Sequence, residues 1–167
     1  VIYLVFLTTP MNSYFRNIIF SLLLIIVYTA ESQNIVHVTN YNKSEYNGGN
    51  QNWDITLDNR GNVFIANNNG LLIFDGARWL LQKQPMNTII RSVAYDNNRI
   101  YTWSFEEFGY WEADSSREWK YNSLIPLLKD TKLHNDEFWK IVKHKGCIYF
   151  QSFGTILIYD YKTIKPL

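Results

Sequence analysis

Three residues of this chain could act together on a ligand. Trp53, Arg91 and Trp139 open equivalent apolar stretches of a sequence that repeats, and two indoles with one guanidinium could stack on a flat face or pair with polar groups. Packing of one repeat against the next is the competing use of that position. Glu106 and Glu107 are adjacent carboxylates, but neighbours in an extended or turn segment point in different directions, so their spacing does not pair them for acid–base work. Ordering of a loop is the plainer role. Asn67, Asn68 and Asn69 could offer amide oxygens to a cation or hydrogen bonds to a sugar, and turn chemistry accounts for them without any ligand. His37, His134 and His144 lack metal-ligand spacing, so neither a metal nor a cofactor is expected. Cys147 is the single cysteine. It excludes an intrachain disulfide, and its place in the apolar run Cys147-Ile148-Tyr149-Phe150 predicts a buried, inert thiol. No residue is assigned as catalytic, and the segment itself is not expected to be an enzyme.

The elements that must position these side chains are short strands. Trp53, Ile55 and Leu57 alternate with polar residues, the period of a strand with one buried face. Asp58 to Gly61 forms a turn, Val63 to Ala66 is a continuous apolar run suited to an inner strand, and Asn67 to Gly70 turns the chain again. Leu71 to Phe74 is a third strand, Asp75-Gly76 a hairpin signal, and Arg78 to Gln82 a fourth strand. Four short antiparallel strands in this span make one propeller blade. The fold class is all-β: a partial β-propeller of four-stranded antiparallel blades.

The framework recurs twice. Arg91, Val93 and Tyr95 match Trp53, Ile55 and Leu57, as do Trp139, Ile141 and Lys143. Phe64 to Phe74, Tyr101 to Trp111 and Tyr149 to Tyr159 are each ten residues apart, a shared spacing that marks repeats. The expected divisions are a mature N-terminal strand and lead-in over 33–52, a first blade over 53–87, a second with an insertion over 88–133, and an incomplete third over 134–167. The third repeat reads as stopping before its fourth strand. The insertion around Leu124-Ile125-Pro126-Leu127-Leu128 is one helical turn or a rim loop, because Pro126 prevents a long helix. Ile35 to Val38 has strand character and is a candidate for completing the last blade. Trp53 and Phe64 are expected to be buried in a closed ring. Because rings close with about four to eight blades, the chain reads as an N-terminal fragment of a longer protein.

Of 167 residues, 47% are hydrophobic and 17% aromatic, and the formal net charge is +1. There is no run of Lys or Arg, so direct nucleic-acid contact by this segment is not expected. Residues 1–32 read as upstream sequence and a signal peptide starting at Met11, with Arg16 as its positive region, Ile18 to Val27 as its apolar region and Ala30-Glu31-Ser32 as the cleavage site. The apolar run is about half the roughly 20 residues of a membrane span.

At Asn40-Tyr41, Gly48-Gly49, Gln51-Asn52-Trp53, Gly70-Leu71-Leu72-Ile73-Phe74-Asp75-Gly76 and Glu106-Glu107-Phe108-Gly109-Tyr110 the chain resembles the periplasmic sensors of Bacteroidetes built from two-component-regulator propeller repeats. The resemblance runs from about Ile35 to Leu167. It implies an exported, periplasmic, ligand-sensing segment of a membrane-spanning transcriptional regulator or two-component sensor. The relatives carry further blades, a triple-tyrosine domain, one membrane span attaching them to the inner membrane, and either a LuxR-type helix-turn-helix or a histidine kinase module, where any kinase activity would reside. By the same analogy the partners are an extracellular ligand, expected to be a saccharide or other nutrient, the remaining blades, and a second copy in a full-length homodimer. The rival expectations are a secreted propeller enzyme acting on polysaccharide and a structural interaction scaffold.

Overall fold

A computed structural model describes residues 12–28, 37–128 and 138–167. Backbone contacts divide the chain into residues 1–39 and 40–167. In the first unit, helix α1 (Ser13–Tyr28) carries the run Ile18 to Val27, with no acidic residue in its first turn. No helix among the described residues is long and apolar enough to cross a membrane. Met11, the cleavage site at Ala30-Glu31-Ser32, and Ile35-Val36 lie outside the described residues; His37 and Val38 form no strand.

The second unit opens with a short helix, α2 (Lys43–Tyr46), capped at both ends. The Asn42 side chain accepts from Ser44 N–H at 3.0 Å, and Glu45 accepts from Asn42 N–H at 2.7 Å. Asn47 ends it in the left-handed region at φ 55°.

Among the described residues, twelve strands follow in three four-stranded sheets. The first blade contains β1 (Asn52–Leu57), β2 (Val63–Asn67), β3 (Gly70–Phe74) and β4 (Trp79–Gln82) in sequential order. The second contains β5 (Ser92–Asp96), β6 (Arg99–Ser104), β7 (Glu107–Ala113) and β8 (Trp119–Ser123). The third contains β9 (Phe138–His144), β10 (Cys147–Ser152), β11 (Ile156–Tyr159) and β12 (Ile164–Pro166). All pairings are antiparallel, and the first strands β1, β5 and β9 lie side by side. The third blade therefore does have a fourth strand. Asp160 makes it possible: its carboxylate accepts from Lys162 N–H at 3.0 Å and Thr163 N–H at 2.7 Å, a side-chain turn that returns Ile164 to pair with Tyr159.

Turn chemistry sets the strand registers. Asn97 and Asn98, and Lys145 and Gly146, hold the positive φ values that two-residue hairpins need. In the longer turn of the first blade, Asp58 accepts from Arg60 N–H, Asn62 N–H and Asn62 Nδ2 at 2.7 to 2.9 Å. Burial alone would raise the Asp58 carboxyl; these bonds and Arg60 hold it below the usual range. Gly70, at φ +138°, is required: a β-carbon there would sit 2.2 Å from the Gln82 carbonyl oxygen.

Two apolar cores lie between the blades. Phe64, Ala66, Leu71 and Ile73 of the first blade meet Ile90, Val93, Ile100 and Trp111 of the second. Tyr101, Trp103 and Phe108 of the second meet Ile141, Ile148, Phe150, Leu157 and Tyr159 of the third. The insertion forms a 3-10 turn over Ile125–Leu127 and packs onto the second core with Leu124 buried. Phe64 is buried as expected, but Trp53 is 39% exposed. The face bearing Ile55 and Leu57 has no described blade against it, whereas Val93 and Ile141, the equivalents of Ile55, are buried at 3% and 4% exposure. Cys147 is half-buried rather than buried, because it begins β10 opposite His144 at the hairpin turn.

Candidate functional site

The side-by-side first strands bring their leading residues to one end of the arc, together with the turns between the second and third strands of each blade. There the Arg91 guanidinium carbon lies 4.5 Å from the Trp53 ring centroid and 5.2 Å from that of Trp139. The cation is held between two indoles from the neighbouring blades. Each contact joins guanidinium charge to the negative face of an aromatic ring. The two rings are therefore no more than about 10 Å apart. The sequence position shared by all three residues is thus a single cluster.

Neighbouring turns fix the indoles. Trp53 Nε1–H donates to Asn68 Oδ1 at 2.7 Å. Trp139 meets the Phe153 ring edge-on at 5.3 Å. Asn68, Phe105 and Phe153 occupy equivalent places in the three turns, and Phe105 and Phe153 are both exposed. An open hollow of about 360 Å³ beside Phe153 is lined by residues 151–156 and Leu167. Phe105 and Phe153 escaped the sequence reading; their common offset of four residues from Tyr101 and Tyr149 could have found them.

One residue further along, a polar layer ties the blades together. Asp54 accepts from Ser92 Oγ–H at 2.9 Å, from Val93 N–H at 3.2 Å and from Lys140 Nζ at 3.1 and 3.3 Å. Ser92 Oγ in turn accepts from Ile141 N–H at 3.0 Å. Toward the far end of the first strands, buried Asp96 pairs with Lys143 and accepts from Tyr161 O–H. Burial alone would raise the Asp96 carboxyl, but the bonds from Lys143 and Tyr161 hold it below its usual range. Burial, then the Asp96 bond and charge, push the Tyr161 hydroxyl up to about 12.

The remaining candidates have structural employment. Asn67 is fully buried; its Oδ1 accepts from Gly49 N–H at 2.6 Å and Asn69 N–H at 2.9 Å, and its Nδ2 donates to Gly49 and Gln51 carbonyls and Asn52 Oδ1. It pins the lead-in to the first blade. Glu107 accepts from Tyr121 O–H at 2.9 Å and Ser123 Oγ–H at 2.7 Å, while Glu106 stands exposed at φ 53° in the turn. The two carboxylates diverge. His37 lies 3.4 Å from Thr39 Oγ1, His144 beside the Tyr149 ring, and His134 outside the described residues.

No protein-family model matches the chain, and neither does any curated protein. Solved structures do. The extracellular domain of BT4673 from B. thetaiotaomicron, assigned as a one-component system, is 15% identical with a TM-score of 0.51 over 68% of this chain and 15% of that one. Virginiamycin B lyase from Staphylococcus aureus is 13% identical with a TM-score of 0.53 over 74% of this chain and 42% of the lyase. The chain thus spans less than half the length of either protein. The likeness is one of fold, and the described residues of the second unit form three β-propeller blades.

Proposed function

We propose that this arc is the ligand-contacting part of an exported, periplasmic sensor, and that Trp53, Arg91 and Trp139 meet an extracellular saccharide. One observation carries the reading: a guanidinium held between two indoles that remain 39% and 42% exposed. Indole faces suit the apolar C–H face of a sugar ring, while guanidinium N–H groups suit its hydroxyls. Stacking on the two rings orders Arg91 before the ligand arrives, which lowers the entropy lost on binding.

The extracellular nature of one fold neighbour and the apolar run of α1 support export. Signal output, as gene regulation or phosphotransfer, belongs to domains joined to this arc, with an inner-membrane span between them. An enzymatic role for the segment is disfavoured by the divergence of the adjacent carboxylates Glu106 and Glu107. Calorimetric titration with neutral and uronic-acid oligosaccharides tests the proposal. At least one should bind, and Trp53→Ala or Trp139→Ala should weaken it about tenfold or more, the loss of roughly 1.4 kcal/mol. Undiminished binding by both variants would overturn the assignment.

A further inference from the structure

We infer that the lead-in to the first blade controls the Trp53 indole, and that Asn68 is the positioning residue through which it does so. The strand ladder does not hold this indole's residue. Asn52 pairs with Asn67 and Asp54 with Ala66, which leaves Trp53 as the extra residue of a β-bulge on β1. Trp139 has the same standing on β9, where Phe138 pairs with Ser152 and Lys140 with Gln151. A bulge re-aims its extra side chain and leaves it out of the regular pairing. Both indoles of the cluster therefore need a second support, and the two supports differ. For Trp139 it is the Phe153 ring; for Trp53 it is the Asn68 amide.

The Asn68 amide has two ends, and they face different segments. Its Oδ1 accepts from Trp53 Nε1–H at 2.7 Å, while its Nδ2 donates to Gln51 Oε1 at 3.3 Å. The Asn68 backbone N–H donates to the Gln51 carbonyl at 3.2 Å, and that carbonyl also accepts from Asn67 Nδ2–H at 3.0 Å. Phe105 and Phe153, at the place of Asn68 in the other two blades, carry no side-chain group able to make such bonds. The amide stands in the blade that the lead-in joins. Further back along the lead-in, Gly49 lies so close to this turn that a β-carbon on it would be 2.6 Å from Asn68 Cβ and 3.0 Å from Asn67 Oδ1.

The lead-in is anchored at the other edge of the sheet. Tyr41 meets Phe74 at 5.2 Å and Trp79 at 5.4 Å, and Tyr46 meets Trp79 at 5.8 Å. Trp79 is on β4, which the order β1-β2-β3-β4 places three strand spacings, about 14 Å, from β1. Docking of two tyrosines at the outer edge is thereby linked to the setting of an indole at the inner edge. By reciprocity a ligand on Trp53 tightens the lead-in, a regulation that rests on the ligand role proposed above for that residue.

The indole N–H signals of Trp53 and Trp139, followed by NMR in the ligand-free chain, test the positioning. Asn68→Ala should move the Trp53 signal and speed its exchange with solvent about fivefold, as expected for the loss of one hydrogen bond. Asn68→Asp, which keeps an acceptor, should restore the bonded signal. Tyr46→Ala should move the Trp53 signal in the same direction as Asn68→Ala while that of Trp139 stays in place. Gly49→Ala, whose β-carbon would push the lead-in off the turn, serves the same purpose should Tyr46→Ala fail to fold by circular dichroism. An unmoved Trp53 signal in a folded lead-in variant, or equal movement of both indoles, would overturn the inference. At saturation with any neutral or uronic-acid oligosaccharide that binds in the calorimetric titration, the wild-type Gly49 amide should exchange about fivefold more slowly; unchanged exchange would overturn the coupling. Should no oligosaccharide bind, the ligand role falls, and the indole signals still decide whether the lead-in positions Trp53.

Discussion

Replacing Ile141 and Ile55 each by alanine makes the same chemical change at two equivalent positions and should give very different losses of stability. Ile141 is 4% exposed between the second and third blades; Ile55 is 60% exposed on the open face of the first. The change removes about three carbon groups, worth ~0.8 kcal/mol each when buried. At Ile141 a cavity is left among Tyr101, Phe150 and their neighbours, which brings the expected cost to about 2 to 5 kcal/mol. At Ile55 only the smaller covered part of the side chain is lost and no cavity forms, so about 1 kcal/mol or less is expected. Urea unfolding followed by circular dichroism reads both differences, with unchanged m-values as the check that the denatured state is the same. Similar losses at the two positions would refute the claim that the open face of the first blade is uncovered while its equivalents are sealed.

Asn67→Ala should cost about 2 to 3 kcal/mol in the same assay, because it strips buried groups around Gly49 and Gln51 of their partner; a loss below about 0.5 kcal/mol would show that the lead-in is not pinned there. The bond set of Asp96 predicts acid sensitivity. Its folded carboxyl lies below the ordinary value of about 4, so its contribution is complete above that value and is lost as pH falls through the lowered one. Thermal midpoints recorded across the acid range should fall less steeply in Asp96→Asn than in the wild type. Gly70→Ala should destabilise by more than about 1 kcal/mol, because the β-carbon would strike the Gln82 carbonyl.

The propeller framework was legible because its signals are local. Alternating residues such as Trp53, Ile55 and Leu57, and punctuation such as Asp75-Gly76, mark strands and turns within a few positions. The final strand was not, since Ile164 to Pro166 contains a proline and a lysine and only the Asp160 side-chain turn brings it back to β11. Equivalence of Trp53, Arg91 and Trp139 could be read from the repeat, but their stacking depends on how closely adjacent first strands approach. The exposure of Ile55 was hidden for a related reason: strand alternation tells which residues share a face, not whether another blade covers it. Asn67 shows the limit from the other side. Its turn propensity was visible, while its bonds to Gly49 and Gln51 link segments well apart in sequence.

The most direct test of the ligand site follows the indole N–H signals of all six tryptophans by NMR during titration with oligosaccharides. Binding at the proposed cluster should shift the Trp53 and Trp139 signals while those of buried Trp103 and Trp111 stay in place, and Arg91→Ala should weaken the response. Saturable binding that leaves Trp53 and Trp139 unmoved would contradict the account.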